Sequence, residues 1–372
     1  MKNWKKIREN IDQKNYLDKF LVREKVINAI RLFFKNQGFH EVETPVLVQS
    51  PGTEPYLEVF ETELVTQSYE KEVNREAREA GLGHKKAYLL TSPELFMKKL
   101  LSAGLGNIFQ ICKSFRNGEG ISSFHNPEFT ILEWYRVEAD YLDVMKDCEN
   151  LFLFILNELG SNGDGKNILM YQGVEYDLTA PWERISVSEA FKKYSGISTE
   201  EMLDSQKLVQ IAKEKGYEVD NQTTWEQAYN QILLNEIEPH LGQEKSESGK
   251  TKPTILYDYP ASQAALSKKK DSDPRFAERF EFYIGGIELG NAFSELTDAG
   301  EQQARMVEDL KLRKDFGKVE YKMDKDFIEA LEFGMPRTGG IAVGVDRLVM
   351  LFADQDSIKN TLFFPIDDIF DY

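Results

Sequence analysis

The sequence predicts an α+β fold built on an antiparallel sheet, and three features carry that prediction. Strand patterns at 276–284 and 287–296 flank Gly285-Gly286, a two-residue signal for a tight hairpin. Other strands that neighbour in sequence, such as 107–115 and 127–137, are joined by hairpin-like links. Helical periodicity is grouped between these strands instead of alternating with each one, which disfavours a parallel doubly wound sheet.

Residues 18–36 read as a helix, because Val22, Val26, Ile30 and Phe33/Phe34 recur at helical spacing. Gly38 ends it, and 39–45 continues extended; Pro45 places that stretch at an edge or an interface. Residues 66–86 are charged and weakly patterned, as expected of a surface insertion. Ser92-Pro93 opens a helix to about 103, with proline tolerated in the first turn. A strand at 107–115, a loop holding Gly118, Gly120, Ser122 and Ser123, and a strand at 127–137 follow. Next come a helix at 140–159 and a hairpin around Tyr171-Gln172-Gly173-Val174. Residues 186–242 are mostly helical, within an insertion reaching 250. A strand at 253–259 precedes the 276–296 hairpin, and helices are predicted at 299–315 and 325–333. A glycine-rich strand, 339–345, leads into a helix beginning near Asp346. No internal repeat interrupts this order, and the whole chain, 1–372, reads as one catalytic domain.

Composition removes several classes of function. There is no apolar run of about eighteen residues and no signal-peptide pattern, so membrane partners are not expected. The two cysteines, Cys112 and Cys148, make no disulfide framework or metal spacing, and the four histidines are scattered. A reduced, cytoplasmic setting is expected. The net charge of −17 repels phosphate backbones, which weighs against nucleic acid as the default partner. Lys98-Lys99 and Lys268-Lys269-Lys270 are the only candidate basic patches, and the latter reads better as solvated charge.

Chemistry concentrates in three places. Arg116 and Arg347 each follow a β-type run, where a fixed cation suits phosphate, although a surface salt bridge or an exposed helix face also fits. Pairing Ile284 with Ile287 sets Tyr283 opposite Glu288, with Glu281 diagonal on the same face at ~7–8 Å. Two carboxylates there suit Mg²⁺ with substrate phosphates, or are two solvent-facing glutamates on an ordinary hairpin. Asn291, Phe293 and Glu295 have the opposite parity, so a bulge near Gly290 must reset the face if they join the same site. A deep Glu295 then calls for a cationic substrate group as counter-ion. On the 127–137 strand, Phe129, Ile131, Glu133 and Tyr135 share one face, with His125 just before it. An aromatic beside arginine and histidine can stack a purine, while the same residues could be plain core. Thr91-x-x-Glu94 also fits a capping box with no function.

Taken in order, these pieces resemble the class II aminoacyl-tRNA synthetases. Gly38-Phe39-x-x-Val42-x-x-Pro45 looks like motif 1, and Phe115-Arg116-Asn117 with His125-Asn126-Pro127-Glu128-Phe129 looks like motif 2. Gly340-x-x-x-Gly344-Val345-Asp346-Arg347 looks like motif 3. Thr91-Ser92-Pro93-Glu94 and the Glu288–Asp298 stretch are similar to the lysyl branch. Tyr259-Pro260-Ala261-Ser262-Gln263-Ala264 and Glu133-Trp134-Tyr135-Arg136 resemble its short paralogous family, the elongation factor P–(R)-β-lysine ligases.

The resemblance implies the following roles. Arg116 binds the α-phosphate of ATP and the substrate carboxylate, His125 and Arg347 the outer phosphates, and Phe129 stacks adenine. Asn117 and Glu119 complete the ATP contacts; Gly118 displaces this acid from the usual Arg-x-Glu spacing. Glu281 and Glu288 hold Mg²⁺. Glu94 and Glu133 take the backbone-type ammonium, and Tyr135, Asn291 and Glu295 form the side-chain pocket. Ala342 stands where lysyl-tRNA synthetases usually carry glycine, a methyl worth ~1–3 kcal/mol in substrate preference. The implied reaction is ATP-dependent activation of (R)-β-lysine or lysine as an acyl-adenylate. With the motif 1 helix starting near 18, no anticodon-binding domain is expected, so the acceptor implied is a lysine of elongation factor P, with tRNA disfavoured. A truncated lysyl-tRNA synthetase or related ligase is the alternative, and a catalytically dead sensor ranks below both. Motif 1 further implies a homodimer.

Overall fold

In the computed structural model, which describes residues 2–14, 16–65, 84–160, 167–245 and 249–370, helices Asn3–Asn10 and Asp18–Asn36 come first. Among the described residues thirteen strands follow in chain order: β1 (His40–Glu41), β2 (Leu47–Val48), β3 (Glu61–Val65), β4 (His84–Leu89), β5 (Ile108–Phe115), β6 (Glu128–Val137), β7 (Ile168–Tyr171), β8 (Val174–Asp177), β9 (Glu183–Ser186), β10 (Thr254–Pro260), β11 (Phe276–Ile284), β12 (Ile287–Ser294) and β13 (Thr338–Gly344). Eight of them form one sheet in the order β1-β5-β6-β13-β12-β11-β10-β9.

The six inner strands are antiparallel throughout, as expected. The outer two join in parallel, β1 on β5 and β9 on β10, so the whole sheet is mixed. Parallel neighbours need a long connection, and β9 reaches β10 only through the helical insertion between 187 and 240. Its strand of four residues is too short to announce itself by alternation. Strands β2, β4 and β3 form a small second sheet, and β7 with β8 is the expected hairpin. Of the proposed 66–86 insertion, residues 66–83 lie outside the described residues, while 84–86 begin β4.

Alternation divides the large sheet into two faces with different tasks. Phe109, Leu132, Trp134, Phe280, Phe282, Ala292, Ile341 and Val343 enter the main core with helices Asp18–Asn36, Tyr141–Glu158 and Val345–Phe352. Ile131, Glu133, Tyr135 and Ala342, from the intervening positions, point the other way. Helices Glu94–Ser102, Ala299–Asp315 and Lys325–Gly334 cover one end of that second face through Leu95, Met97, Leu101, Met306 and Phe327. Among the described residues, no helix is long and apolar enough to cross a membrane.

The hairpin that shapes the site is legible residue by residue. Gly285 and Gly286 both adopt positive φ (63° and 74°), the geometry of the favoured hairpin turn. Ile284 pairs with Ile287 and Tyr283 with Glu288, but then Phe282 pairs with Gly290 and Glu281 with Asn291. Leu289 is the extra residue of a bulge, and it brings Asn291, Phe293 and Glu295 onto the face of Glu281. A Cβ at Gly290 would come within 2.6 Å of the Phe282 ring and 2.9 Å of the Ala342 carbonyl oxygen, so the bulge requires glycine.

Candidate active site

A cavity of about 450 Å³ opens on the second face of the sheet. Of the residues singled out from sequence, Glu94, Arg116, Glu119, His125, Phe129, Tyr135, Glu288, Asn291, Glu295, Ala342 and Arg347 all line it. Asn117, Glu133 and Glu281 stand outside the lining. Asn117 is held at its backbone, donating to the Glu58 carbonyl at 3.0 Å. Glu133 and Glu281 lie just behind the wall, each bonded to other groups.

One end of the cavity is cationic. Arg347 donates to the Glu288 carbonyl (2.8 Å), the Phe124 carbonyl (3.2 Å) and His125 Nε2 (2.8 Å), and approaches Glu288 Oε2 at 3.4 Å. Because guanidinium only donates, His125 must present an unprotonated Nε2, leaving Nδ1–H to donate to Ser122 Oγ at 2.9 Å. Burial and the adjacent Arg347 lower the His125 pKa, which favours this neutral form. Asp346, the residue before it, anchors the helix: it accepts from Thr130 N at 2.8 Å and from Arg23. Arg116 lies over the Phe129 ring, 5.2 Å from its centroid, and pairs with Glu119 at 3.4 Å. Its Nε is buried without a partner. The surface-bridge reading of Arg116 is therefore half met, since Glu119 does pair with it, but within the cavity.

The opposite end is acidic. Glu94 and Glu295 both pair with Lys98, whose side chain is 0 % exposed. Burial alone would lower the Lys98 pKa, but Glu295 and Glu94 outweigh it and hold it above its ordinary value. Glu295 is pushed up by burial, with Lys98 opposing. Glu133 accepts from Ser92 Oγ (2.6 Å) and Tyr135 Oη (3.0 Å), and burial, then Glu94, push its pKa up to about 8. Ala342 sits between these groups in the sheet, opposite Glu133 on β6 and Asn291 on β12. A Cβ at Gly340 would meet Glu295 Oε1 at 2.1 Å, so the motif glycine makes room for that carboxylate.

Three sequence readings are corrected here. Glu295 is not left without a partner in the protein: Lys98 already pairs with it. Lys98-Lys99 is no basic patch, because Lys98 is buried and Lys99 pairs with Asp324 at 2.6 Å. The capping box at Thr91 is not formed either: Thr91 Oγ1 donates to the Pro51 carbonyl (2.9 Å), and Glu94 N donates to Ser92 Oγ (3.0 Å). The i,i+4 spacing of Glu94 and Lys98 was the available signal for the ion pair.

Glu281 and Glu288 differ as prospective metal ligands. Glu281 accepts from Tyr259 Oη (2.7 Å), Tyr283 Oη (2.6 Å) and Arg279 (2.6 Å), which leaves one acceptor position. Glu288 reaches the cavity, and burial followed by Glu281 raises its pKa, a strain a bound cation relieves. Glu238, unmarked in the sequence, is pushed up to about 7 by burial, Glu281 and Glu288. Among the described residues, no three His, Cys, Asp or Glu side chains are arranged to hold a metal. Glu288 at the cavity and the acceptor position left on Glu281 are the donors that would suit Mg²⁺ held by one or two carboxylates together with substrate phosphates.

The sequence matches known proteins along most of its length. The family model for class II tRNA synthetases (D, K and N) matches residues 5–368. The lysine–tRNA ligase of Thermoanaerobacter pseudethanolicus is 38% identical over 349 residues, covering 93% of this chain and 63% of that protein. That of Pelotomaculum thermopropionicum is 36% identical over 352 residues, covering 93% and 63%. That of Clostridium perfringens is 35% identical over 351 residues, covering 94% and 64%. The chain thus spans just under two thirds of the length of these relatives.

Proposed function

This chain belongs to the class II tRNA synthetases of the D, K and N group, and from that premise we propose that it activates (R)-β-lysine, or lysine, with ATP and passes the acyl group to a lysine side chain of elongation factor P. The observation that carries the proposal is the charge separation within one cavity: the guanidiniums of Arg116 and Arg347, with neutral His125, at one end, and Glu94 and Glu295 at the other. A triphosphate and a diamino acid have the complementary pattern.

In the proposed reaction, a carboxylate oxygen of the amino acid attacks the α-phosphorus of ATP. A P–O bond forms, the bond to pyrophosphate breaks, and pyrophosphate leaves. Arg116 offsets charge at the α-phosphate, while Arg347 and neutral His125 hold the outer phosphates. Phe129 stacks adenine once Arg116 turns from its ring to the phosphate; Asn117 and Glu119 flank the nucleotide. Mg²⁺ at Glu288, with Glu281 behind it, supplies neutralisation of phosphate charge. Glu94 and Glu133 receive the ammonium near the carboxyl, and Tyr135, Asn291 and Glu295 the distal one, with Ala342 narrowing the floor between. The acceptor amine then attacks the acyl carbon, AMP leaves, and the amine proton passes to solvent. No side-chain nucleophile is needed. A homodimer through helix Asp18–Asn36 and edge strand β1, and a cytoplasmic location, belong to the same proposal.

A second reading, acylation of tRNA, is favoured by the names of the relatives, all lysine–tRNA ligases. The expectation against tRNA has no support from them. ATP–pyrophosphate exchange with each amino acid, followed by transfer of labelled acyl group to elongation factor P or to tRNA, tests both. Arg116→Ala and Glu288→Ala should each lower exchange by roughly 10²–10³ with the fold intact. Absence of exchange with any amino acid would refute the enzyme reading and leave a binding protein; label on tRNA alone would select the second acceptor.

A further inference from the structure

Beside the acidic end lies a carboxylate that the sequence did not single out. Glu54 sits on the loop between β2 and β3 and lines the same cavity as Glu94 and Arg116. The loop is held from outside at several points. Buried Arg313 donates to the carbonyls of Glu54 (2.8 Å) and Leu57 (2.6 Å), Lys318 to that of Tyr56 (3.2 Å), and Thr91 to that of Pro51 (2.9 Å). Within it, Gly52 has φ +135°, and a Cβ there would stand 2.4 Å from Glu54 Oε2. The carboxylate therefore folds back over Gly52, on a backbone held from outside.

Among the described residues, Glu54 has no ion-pair partner. Arg313 spends its η nitrogens on carbonyls, and among the described residues no basic side chain forms an ion pair with the Glu54 carboxylate. Burial raises its pKa, and Asp309 behind it is pushed up to about 7 by burial and by Glu54. Between Glu54, Glu94, Ser92 and Leu266 the cavity wall opens into a recess of about 10 Å³, room for one water-sized group. Glu94, on the other side of that recess, already shares Lys98 with Glu295.

We infer that Glu54 is a specificity-determining residue, which with Glu94 clasps the substrate ammonium nearest the reacting carboxyl and so selects amino acids that carry an amine at that end. The inference rests on the amino-acid-activating function proposed above. Its partner chemistry is a primary ammonium seated in the recess between two carboxylates, and the distal amine plays no part in it.

The test compares wild type with Glu54→Gln and Glu54→Ala, using (R)-β-lysine, lysine and 6-aminohexanoate, which lacks the proximal amine. In ATP–pyrophosphate exchange, both variants should raise KM for the two diamino acids by roughly 10- to 100-fold. KM for ATP and for 6-aminohexanoate should stay within about twofold. Equal KM for the diamino acids in wild type and variant, or a parallel shift for all three amino acids, overturns the assignment; the parallel shift would mean that Glu54 only supports the loop. Calorimetric titration of the same three compounds needs no turnover and reads the same split. Silent exchange with intact, Glu54-dependent binding would thus count against adenylation and not against Glu54. Should the alanine variant fail to fold, the isosteric glutamine variant carries the comparison.

Discussion

Replacing Lys98 by methionine removes the resident cation while keeping an unbranched stem of similar size. The ammonium is fully buried and shared by Glu94 and Glu295, so the variant leaves two carboxylates facing each other without compensation. Removing one partner of a buried ion pair costs about 3–5 kcal/mol. The cost depends on pH in a defined direction. Burial already holds Glu295 above the ordinary carboxylate range, with Lys98 opposing; without Lys98 its pKa rises further. An acid whose folded pKa exceeds its unfolded value binds more protons in the folded state, so stability falls as pH rises from about 4.3 toward the folded value. Lys98 itself stays charged across that window, since Glu295 and Glu94 outweigh burial and raise its pKa. The variant should therefore lose least near pH 5 and the full amount near pH 8. Urea unfolding at the two pH values measures both numbers. A loss under about 1 kcal/mol at pH 8, or the same loss at both pH values, refutes the ion pair as the organiser of the acidic end.

Glu133→Gln should stabilise the fold increasingly from pH 5 to pH 8, by roughly 2–4 kcal/mol at the upper end, because the native carboxyl titrates at about 8. Thermal melts across that range check it, and a flat difference would contradict the raised pKa. Ala342→Gly should move selectivity toward lysine over (R)-β-lysine by ~1–3 kcal/mol, read as the ratio of kcat/KM values in exchange. Unchanged selectivity would remove the methyl from the account. Gly290→Ala forces a Cβ against Phe282 and the Ala342 carbonyl, and should lower stability by about 1–3 kcal/mol in urea unfolding. It should also weaken amino acid binding, because the bulge sets the face of Asn291 and Glu295.

The parts of the site that were legible in the sequence are those governed by local rules. Turn chemistry at Gly285-Gly286 set the register of β11 on β12, and parity then demanded the bulge that occurs at Leu289. Alternation along β6 put Phe129, Ile131 and Tyr135 on one wall. What escaped depends on contacts between segments far apart in the chain. Lys98 looked like half of a basic pair because its partner Glu295 lies nearly two hundred residues away. Glu54 carried no local signal, since its loop is held by Arg313 from a distant helix. Arg279 was equally silent, although it is the cation that lets Glu281 stay buried next to Glu288. The parallel edge strand β9, four residues long, is too short for periodicity to register, whereas β1 lies in the extended 39–45 stretch that Pro45 places at an edge.

The resident lysine also bears on how the proposed selectivity for a diamino acid would arise. If the acidic end held Glu94 and Glu295 alone, Lys98 would leave one net negative charge and a single ammonium would satisfy it. The structure adds Glu54 and Glu133 at the same end. Burial raises the pKa of Glu133, Glu295 and Glu54 alike, so four carboxyls share one lysine and part of their charge is held back by protonation until a further cation arrives. A diamino acid brings two. An amino acid with one ammonium leaves a desolvated carboxylate unpaired, which then protonates or lowers affinity. Discrimination by charge count does not require that any one contact be exceptionally strong, and it predicts a proton-release signature. Binding of a diamino acid should release protons from the raised carboxylates, whereas 6-aminohexanoate should release fewer. Calorimetric titration in buffers of different ionisation enthalpy measures that difference directly, and equal proton release for the two ligands would show that selectivity lies in shape instead of charge.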